Sequence, residues 1–294
     1  MAQANPSVHM VRGSRWSYGV QRLLFFWLPM LFFLVVLLFP FYWMIVTSFK
    51  TDTELYYDRK ANPFLVNTPT LGQYLFLFEK SSFVQWTINT VIISVSSTAI
   101  SLICGVLAGY ALARLRFKGA SVLASAIFVT YLVPQSLLFL PLQDVVRSLQ
   151  LYDTPWALIL TYPTFLIPFC TWLLMGYFKT VPQELEEAAL IDGASRFKAM
   201  YRIAMPLAVP GILSAGIFAF TLSWNEYIYA LIFLSSSAAK TIPIGITSEL
   251  IRSDAPSYGQ LMAGAVLGSI PIAIAYSFLV EYYVAGLSAG AVKG

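Results

Sequence analysis

The sequence holds a single histidine, His9, near its amino-terminal end. Zinc chemistry of the HExxH kind needs two histidines one helical turn apart, and a Ser-His-Asp relay needs a firmly held base. Neither is available. No lysine follows a glycine, so there is no GK[ST] loop to cradle phosphates. Cys104 and Cys170 each lie in an apolar run, where a thiol behaves as a small buried hydrophobe. What remains is carboxylate and amide chemistry in two settings. Glu184, Glu186, Glu187 and Asp192 crowd into residues 180–210 with Arg196, Lys198 and Arg202, a pattern suited to charged contact with another surface. Glu226 stands with Asn225 in an otherwise apolar run, and a carboxylate at membrane depth marks a functional site by default.

The elements that must position these groups are helices in a bilayer. Hydrophobic residues make up 58% of the 294-residue chain and charged residues 11%, against roughly 25% charged in a soluble domain. Mean hydropathy is +0.72. A span needs about 20 apolar residues, and six runs meet that length, at about 23–47, 86–113, 120–143, 154–178, 207–234 and 261–284. The fold class expected is all-α and polytopic, with a short tail (1–22) before the six helices and another (285–294) after them. The first run is too long for a secretory h-region and reads as a retained anchor. Barrel strands would alternate over about 10 residues, whereas these runs are apolar on every face.

Orientation follows from the basic residues. With the amino terminus inside, the inner segments hold eleven Lys and Arg and the outer ones seven, the latter mixed with acids. The loop Arg114-Leu115-Arg116-Phe117-Lys118 is purely basic. Both termini and the 180–206 segment are therefore expected on the cytoplasmic side. Within that segment Pro182 suits a first helical turn, the glutamates suit the positive end of its dipole, and Gly193 suits a left-handed stop. A basic helix from about 195 to 204 should follow. Composition fits a solvated interfacial loop as well as it fits a docking element. Along the spans, Asn89, Gln135, Asn225, Glu226 and Tyr227 are candidates to line a path or gate; Glu226 could equally snorkel to headgroups. Gly105-x3-Gly109 and Gly264-x3-Gly268 permit close helix packing.

Glu187-Ala188-Ala189, Gly193, Ile203 and Met205-Pro206, at these separations, resemble the EAA signature of ABC importer permeases, with Met205 in place of the usual leucine. SFKT at 48–51, TLGQY at 70–74, LVPQSLLFLPL at 132–142, SWNEYIYAL at 223–231 and the ending GLSAGAVKG resemble the maltose-type carbohydrate branch. The resemblance covers roughly residues 23–294. It implies a type I ABC importer permease fold in a bacterial or archaeal cytoplasmic membrane. It implies a second, homologous permease subunit forming a heterodimeric pore, two copies of a cytoplasmic ATPase, and a periplasmic or lipid-anchored binding protein that delivers a sugar. The chain would bind no cofactor or metal and no nucleic acid; ATP and Mg would sit in the ATPase subunits. Residues 182–193 would be the coupling helix, with Glu184, Glu187, Ala188, Ala189, Asp192 and Gly193 at the contact and Glu187 paired to an ATPase arginine. The carboxy-terminal tail would approach the ATPase interface. The competing class is an autonomous ion-coupled carrier, which needs charged sites near the midplane; no span here carries a charge at its centre.

Overall fold

The computed structural model describes residues 20–251 and 257–291, with side chains described up to residue 277. The amino-terminal tail with His9, Arg12 and Arg15, and the last residues with Lys293, lie outside the described residues. The elements are α1 (Val20–Ser48), α2 (Gly72–Glu79), α3 (Phe83–Arg114), α4 (Ala120–Leu132), α5 (Gln135–Ser148) and α6 (Pro155–Phe178). They continue with α7 (Gln183–Ile191), α8 (Arg196–Leu207), α9 (Val209–Trp224), α10 (Ile228–Phe233), α11 (Ile242–Gly245, continued by a π turn at Ile246–Leu250) and α12 (Tyr258–Ala291). No strand occurs among the described residues.

Four helices, α1, α3, α6 and α12, are long and apolar enough to cross a membrane unaided. The other two expected spans are broken. The run 120–143 is two helices, α4 and α5, at 97°. Pro134 is the cause: it disfavours a helical Val133, whose ψ is 124°, and restarts the chain as a cap. The run 207–234 also divides. α8 meets α9 at 77°, with Pro210 opening α9, and α9 stops at Trp224, leaving Asn225–Tyr227 as a break before α10. The last helix is longer than expected: α12 passes through the region read as a tail and runs to Ala291.

α3 and α6 form the centre. Gly105 and Gly109 allow it, since a Cβ at Gly105 would stand 2.6 Å from Cys170 Cβ and one at Gly109 3.0 Å from the Met175 nitrogen. The GxxxG pair thus packs within this chain, and so does the second, whose Gly264 and Gly268 face Ile246 and Ile242 of α11. Around the α3–α6 contact lies one core of Ile93, Tyr162, Leu166, Leu174, Ala215, Tyr229 and their neighbours. Dispersion and small-residue fit hold such a core, because lipid offers no hydrophobic drive between helices.

The two ends of the bundle differ in kind. At one end the segments around 49–82, 149–154 and 235–250 meet. Trp86 Nε1 donates to the Ser237 carbonyl at 2.7 Å, and Asp153 accepts from the Ser235 and Ser236 N–H groups at 2.8 and 2.9 Å. The segment after α1 is tied into a polar knot. Buried Glu54 accepts from the N–H groups of Asn67 and Thr68, each at 3.0 Å, with Lys50 3.6 Å away. Lys50 Nζ donates to the carbonyls of Asn62 and Pro63. Ser48 bonds the Tyr74 hydroxyl at 2.7 Å, and Gln73 donates to the Lys50 carbonyl at 3.1 Å. Burial works against the charge on Glu54, but its hydrogen bonds and Lys50 outweigh burial and hold the carboxyl below its usual value. A carboxylate with a depressed folded-state pKa contributes stability at neutral pH and loses it as pH falls through the folded value. Backbone protection of residues 51–70 should therefore stay constant down to about pH 4.3 and fall below it. Hydrogen exchange at stepped pH checks this; Glu54→Gln should remove the pH dependence and expose the segment throughout.

Candidate functional site

At the other end of the bundle, α7 is held beside the end of α3 and packs on α8. Its start is set by Pro182, whose ψ of 127° directs the chain into the first turn. Glu184 and Glu186 fall in that first turn, the favourable end of the helix dipole. Gly193 follows the carboxy end at φ +85°, which a side-chain-bearing residue adopts only under strain. Ser195 then caps the next helix, its hydroxyl accepting from the Lys198 N–H at 3.3 Å. α8 runs on from there to Leu207, three residues beyond the sequence expectation of 204.

One side of α7 is locked to the bundle. Glu186 is 5% exposed. Its Oε2 accepts from the Tyr110 hydroxyl at 2.7 Å, and its Oε1 lies 2.8 Å from Arg114 Nε, at ion-pair distance without hydrogen-bond alignment. Arg114 also donates to the Val181 carbonyl at the turn into α7. The last turn of α3 therefore grips α7 through a side chain, an ion pair and a backbone group.

The opposite side is free. Glu184, Glu187, Ala188, Asp192 and Gly193 are exposed, and Ala189 is half-buried. Gln183 donates to Glu187 Oε1 at 2.9 Å. Ile191 is 86% exposed and Phe197, on α8, 68%. Both stand among charged neighbours and neither is covered by this chain. The sequence separates these residues from Glu186 poorly, because three glutamates stand within four positions. Spacing was the available signal: Gln183, Glu186 and Leu190 share one face at helical intervals, and Arg114 closes the run that ends beside them.

The residues expected along the translocation path are not gathered in one place. Asn89 is buried at the end opposite α7 and donates to the carbonyls of Ala238 and Lys240 at 2.8 and 3.0 Å, while Gln85 donates to its Oδ1. It anchors the 235–241 loop. Gln135 is half-buried at the start of α5, just past the bend. Glu226 is buried: Oε1 accepts from the Tyr229 N–H at 2.8 Å, and Oε2 accepts from the Ala230 N–H at 3.1 Å and the Tyr162 hydroxyl at 2.9 Å. It caps α10 and joins it to α6, so it neither snorkels nor faces open space. Tyr227 is partly exposed, its hydroxyl accepting from Thr247 at 3.4 Å. Asn225 is exposed and lines a cavity of about 680 Å³ between α1, α9, α11 and α12, with Trp224, Ser269 and Tyr276 as further polar-bearing walls.

The sequence family described as a binding-protein-dependent transport system inner membrane component matches residues 101–288. Curated relatives are similar over nearly the full length. The inner membrane ABC transporter permease protein YcjP of Escherichia coli (strain K12) is 36% identical over 92% of this chain and 96% of its own. The sulfoquinovosyl glycerol transport system permease protein SmoH of Agrobacterium fabrum is 37% identical over 87% and 89%. The trehalose/maltose transport system permease protein MalG of Thermococcus litoralis is 33% identical over 88% and 93%. Among solved structures, a chain of a bacterial ABC transporter involved in the import of the acidic polysaccharide alginate superimposes with a TM-score of 0.76 at 21% identity, covering 95% of this chain and all of that one.

Proposed function

The chain belongs to the family of binding-protein-dependent transport system inner membrane components, and from that membership we propose that it is one of two different permease subunits of an ATP-driven sugar importer. The observation that carries the proposal is the two-sided α7. Its inner side is fixed to α3 by Glu186 and Arg114, and its outer side presents Glu184, Glu187, Ala188, Asp192 and the bare Ile191. A short lever held rigidly at one face and open at the other transmits a push.

In this reading two cytoplasmic ATPase subunits, holding ATP and Mg, each seat one permease's coupling helix. Closure of the ATPase pair moves α7. The Glu186–Arg114–Tyr110 contact passes that displacement into α3, and the tight α3–α6 packing at Gly105 and Gly109 carries α6 with it. The opposite end, built from 49–82 and 235–250, receives a sugar-loaded binding protein. The two relatives named for sulfoquinovosyl glycerol and for trehalose and maltose point to a carbohydrate or glycoside cargo. This chain's own part is to bind, move and gate; the phosphate chemistry belongs to the partner subunits.

Glu187→Arg tests the docking surface. Reversal of a close interfacial charge pair costs at least about 1.5 kcal/mol, so uptake driven by the assembled complex should fall at least about tenfold. ATP hydrolysis should persist, uncoupled, and the protein should remain in the membrane at its normal level. Normal uptake by this variant would overturn the role of α7. Uptake that survives ATP depletion and collapses with a proton uncoupler would overturn the importer reading in favour of a secondary carrier.

A further inference from the structure

Beside α7 lies a basic pocket whose wall includes Glu187 of the docking surface. It encloses about 580 Å³ and is lined chiefly by Arg114, Arg116, Gln183, Glu187, Leu190 and Arg196. Arg114 is committed to Glu186 and to the Val181 carbonyl. Arg116 and Arg196 are exposed, and among the described residues neither forms an ion pair. The wall's one carboxylate is Glu187, already accepting from Gln183. With Glu186 offsetting Arg114 and Glu187 offsetting one further guanidinium, the pocket keeps an unmatched positive charge.

Its depth follows from helix length. α3 has 32 residues and is therefore about 48 Å long, whereas the hydrocarbon core is about 30 Å thick and the bilayer with its headgroups about 40–45 Å. A helix of that length set across the bilayer puts Arg114 and the following Arg116 at headgroup level. The chain then reverses at Gly119, φ +89°, and re-enters as α4, none of whose residues is buried within the chain. On this helix length, guanidiniums outside any ion pair fall near headgroup height, next in sequence to a helix that buries none of its residues within this chain. Guanidinium matches phosphate with paired N–H donors, and basic pockets at the cytoplasmic membrane face suit anionic headgroups.

We propose that this pocket holds the phosphate of an anionic lipid headgroup, with Arg116 and Arg196 as the charged donors and the Gln183 amide beside them. The cytoplasmic placement rests on the reading of α7 given above. Because Glu187 belongs to both the pocket wall and the docking surface, a bound headgroup stands next to the coupling contact and tunes it.

The test uses the full chain, purified from its own membrane with its accompanying subunits, and native mass spectrometry with added phosphatidylglycerol or phosphatidylcholine. The wild type should retain phosphatidylglycerol preferentially. Arg116→Gln/Arg196→Gln should weaken that retention on the order of tenfold, while Arg59→Gln/Lys60→Gln, at the other end of the bundle, should leave it intact. Arg116→Lys/Arg196→Lys, with thermal unfolding of each variant, separates lost charge from lost fold: partial retention at unchanged stability supports the site. Unchanged retention in the glutamine pair overturns it. Loss of the adduct on adding millimolar inorganic phosphate also overturns it, assigning the pocket to a free anion. Normal retention with loss of the co-purifying ATPase overturns it too, assigning the arginines to an acidic protein partner. Lipid retention does not depend on ATP hydrolysis, so its failure leaves the docking role standing, and normal uptake by Glu187→Arg leaves the lipid result standing.

Discussion

Glu186→Ala should be the most damaging single change at the coupling end, destabilising the protein by roughly 3–5 kcal/mol. The size comes from what is left behind. Arg114 and Glu186 side chains are only 8% and 6% exposed, so deleting the carboxylate leaves a largely buried guanidinium without its counter-charge, with the Val181 carbonyl as its remaining partner, and removes the acceptor of the Tyr110 hydroxyl. Arg114→Ala should cost a similar amount from the other side and also release the Val181 carbonyl. The double variant should cost less than the sum, because neither charge is then orphaned, and the shortfall measures the coupling between them. Thermal unfolding of the solubilised protein reads all three. By contrast Glu184→Ala, on the free face, should change stability by no more than about 0.5 kcal/mol. A Glu186→Ala protein as stable as the wild type would show that the ion pair does not hold α7.

The second large effect is expected at Glu226. Its two oxygens satisfy the N–H groups of Tyr229 and Ala230 and the Tyr162 hydroxyl. Leaving a buried donor unsatisfied costs about 1–3 kcal/mol, so Glu226→Ala, which strands three, should destabilise by about 3 kcal/mol or more. Glu226→Gln keeps one acceptor oxygen, enough for one of the two backbone N–H groups, and sets an NH2 donor against the other, so it should recover only part of the loss. Susceptibility to protease at residues 225–236, with thermal unfolding, checks both variants. If Glu226→Ala stays folded but Glu226→Gln fails in transport, the carboxylate would have a role beyond capping.

What the sequence revealed and what it hid divide along physical lines. A bilayer demands about 20 apolar residues per crossing, so the positions of the spans can be read from hydropathy alone. Bends are a different matter. Pro134 breaks its span, whereas Pro168 and Pro271 sit inside continuous helices, because neighbouring helices and local adjustments can compensate a lost backbone bond. Whether they do depends on packing that no single stretch of sequence encodes. The same limit applies to the acids. Glu186 and Glu187 are adjacent and chemically alike, yet one is buried against Arg114 and the other faces outward; only the helix register separates them. Glu226 was legible as unusual, and its neighbours Tyr229 and Ala230 are close in sequence. Tyr162, which completes its environment, lies on another helix. The motifs SFKT and TLGQY could be matched as patterns, but their reason appears only in three dimensions, where Ser48 meets Tyr74 and Lys50 meets Gln73.

α1 packs along α12 and is seated most deeply at its Ser48 end. Of the stretch Leu28–Ser48, only Val46, Thr47 and Ser48 are buried, and near them Trp43 and Phe39 rest on Phe64. The 29-residue helix is about 43 Å long, and among the described residues none of 20–45 is buried. It is geometrically a mast stepped at its foot. A change of about 10° in rake at the foot would carry the masthead about 7 Å sideways at this length. α12 and whatever surrounds the helix therefore set its angle together, and its outer face answers to its surroundings. Those residues can be exchanged as a cassette, each replacement judged by the company it keeps.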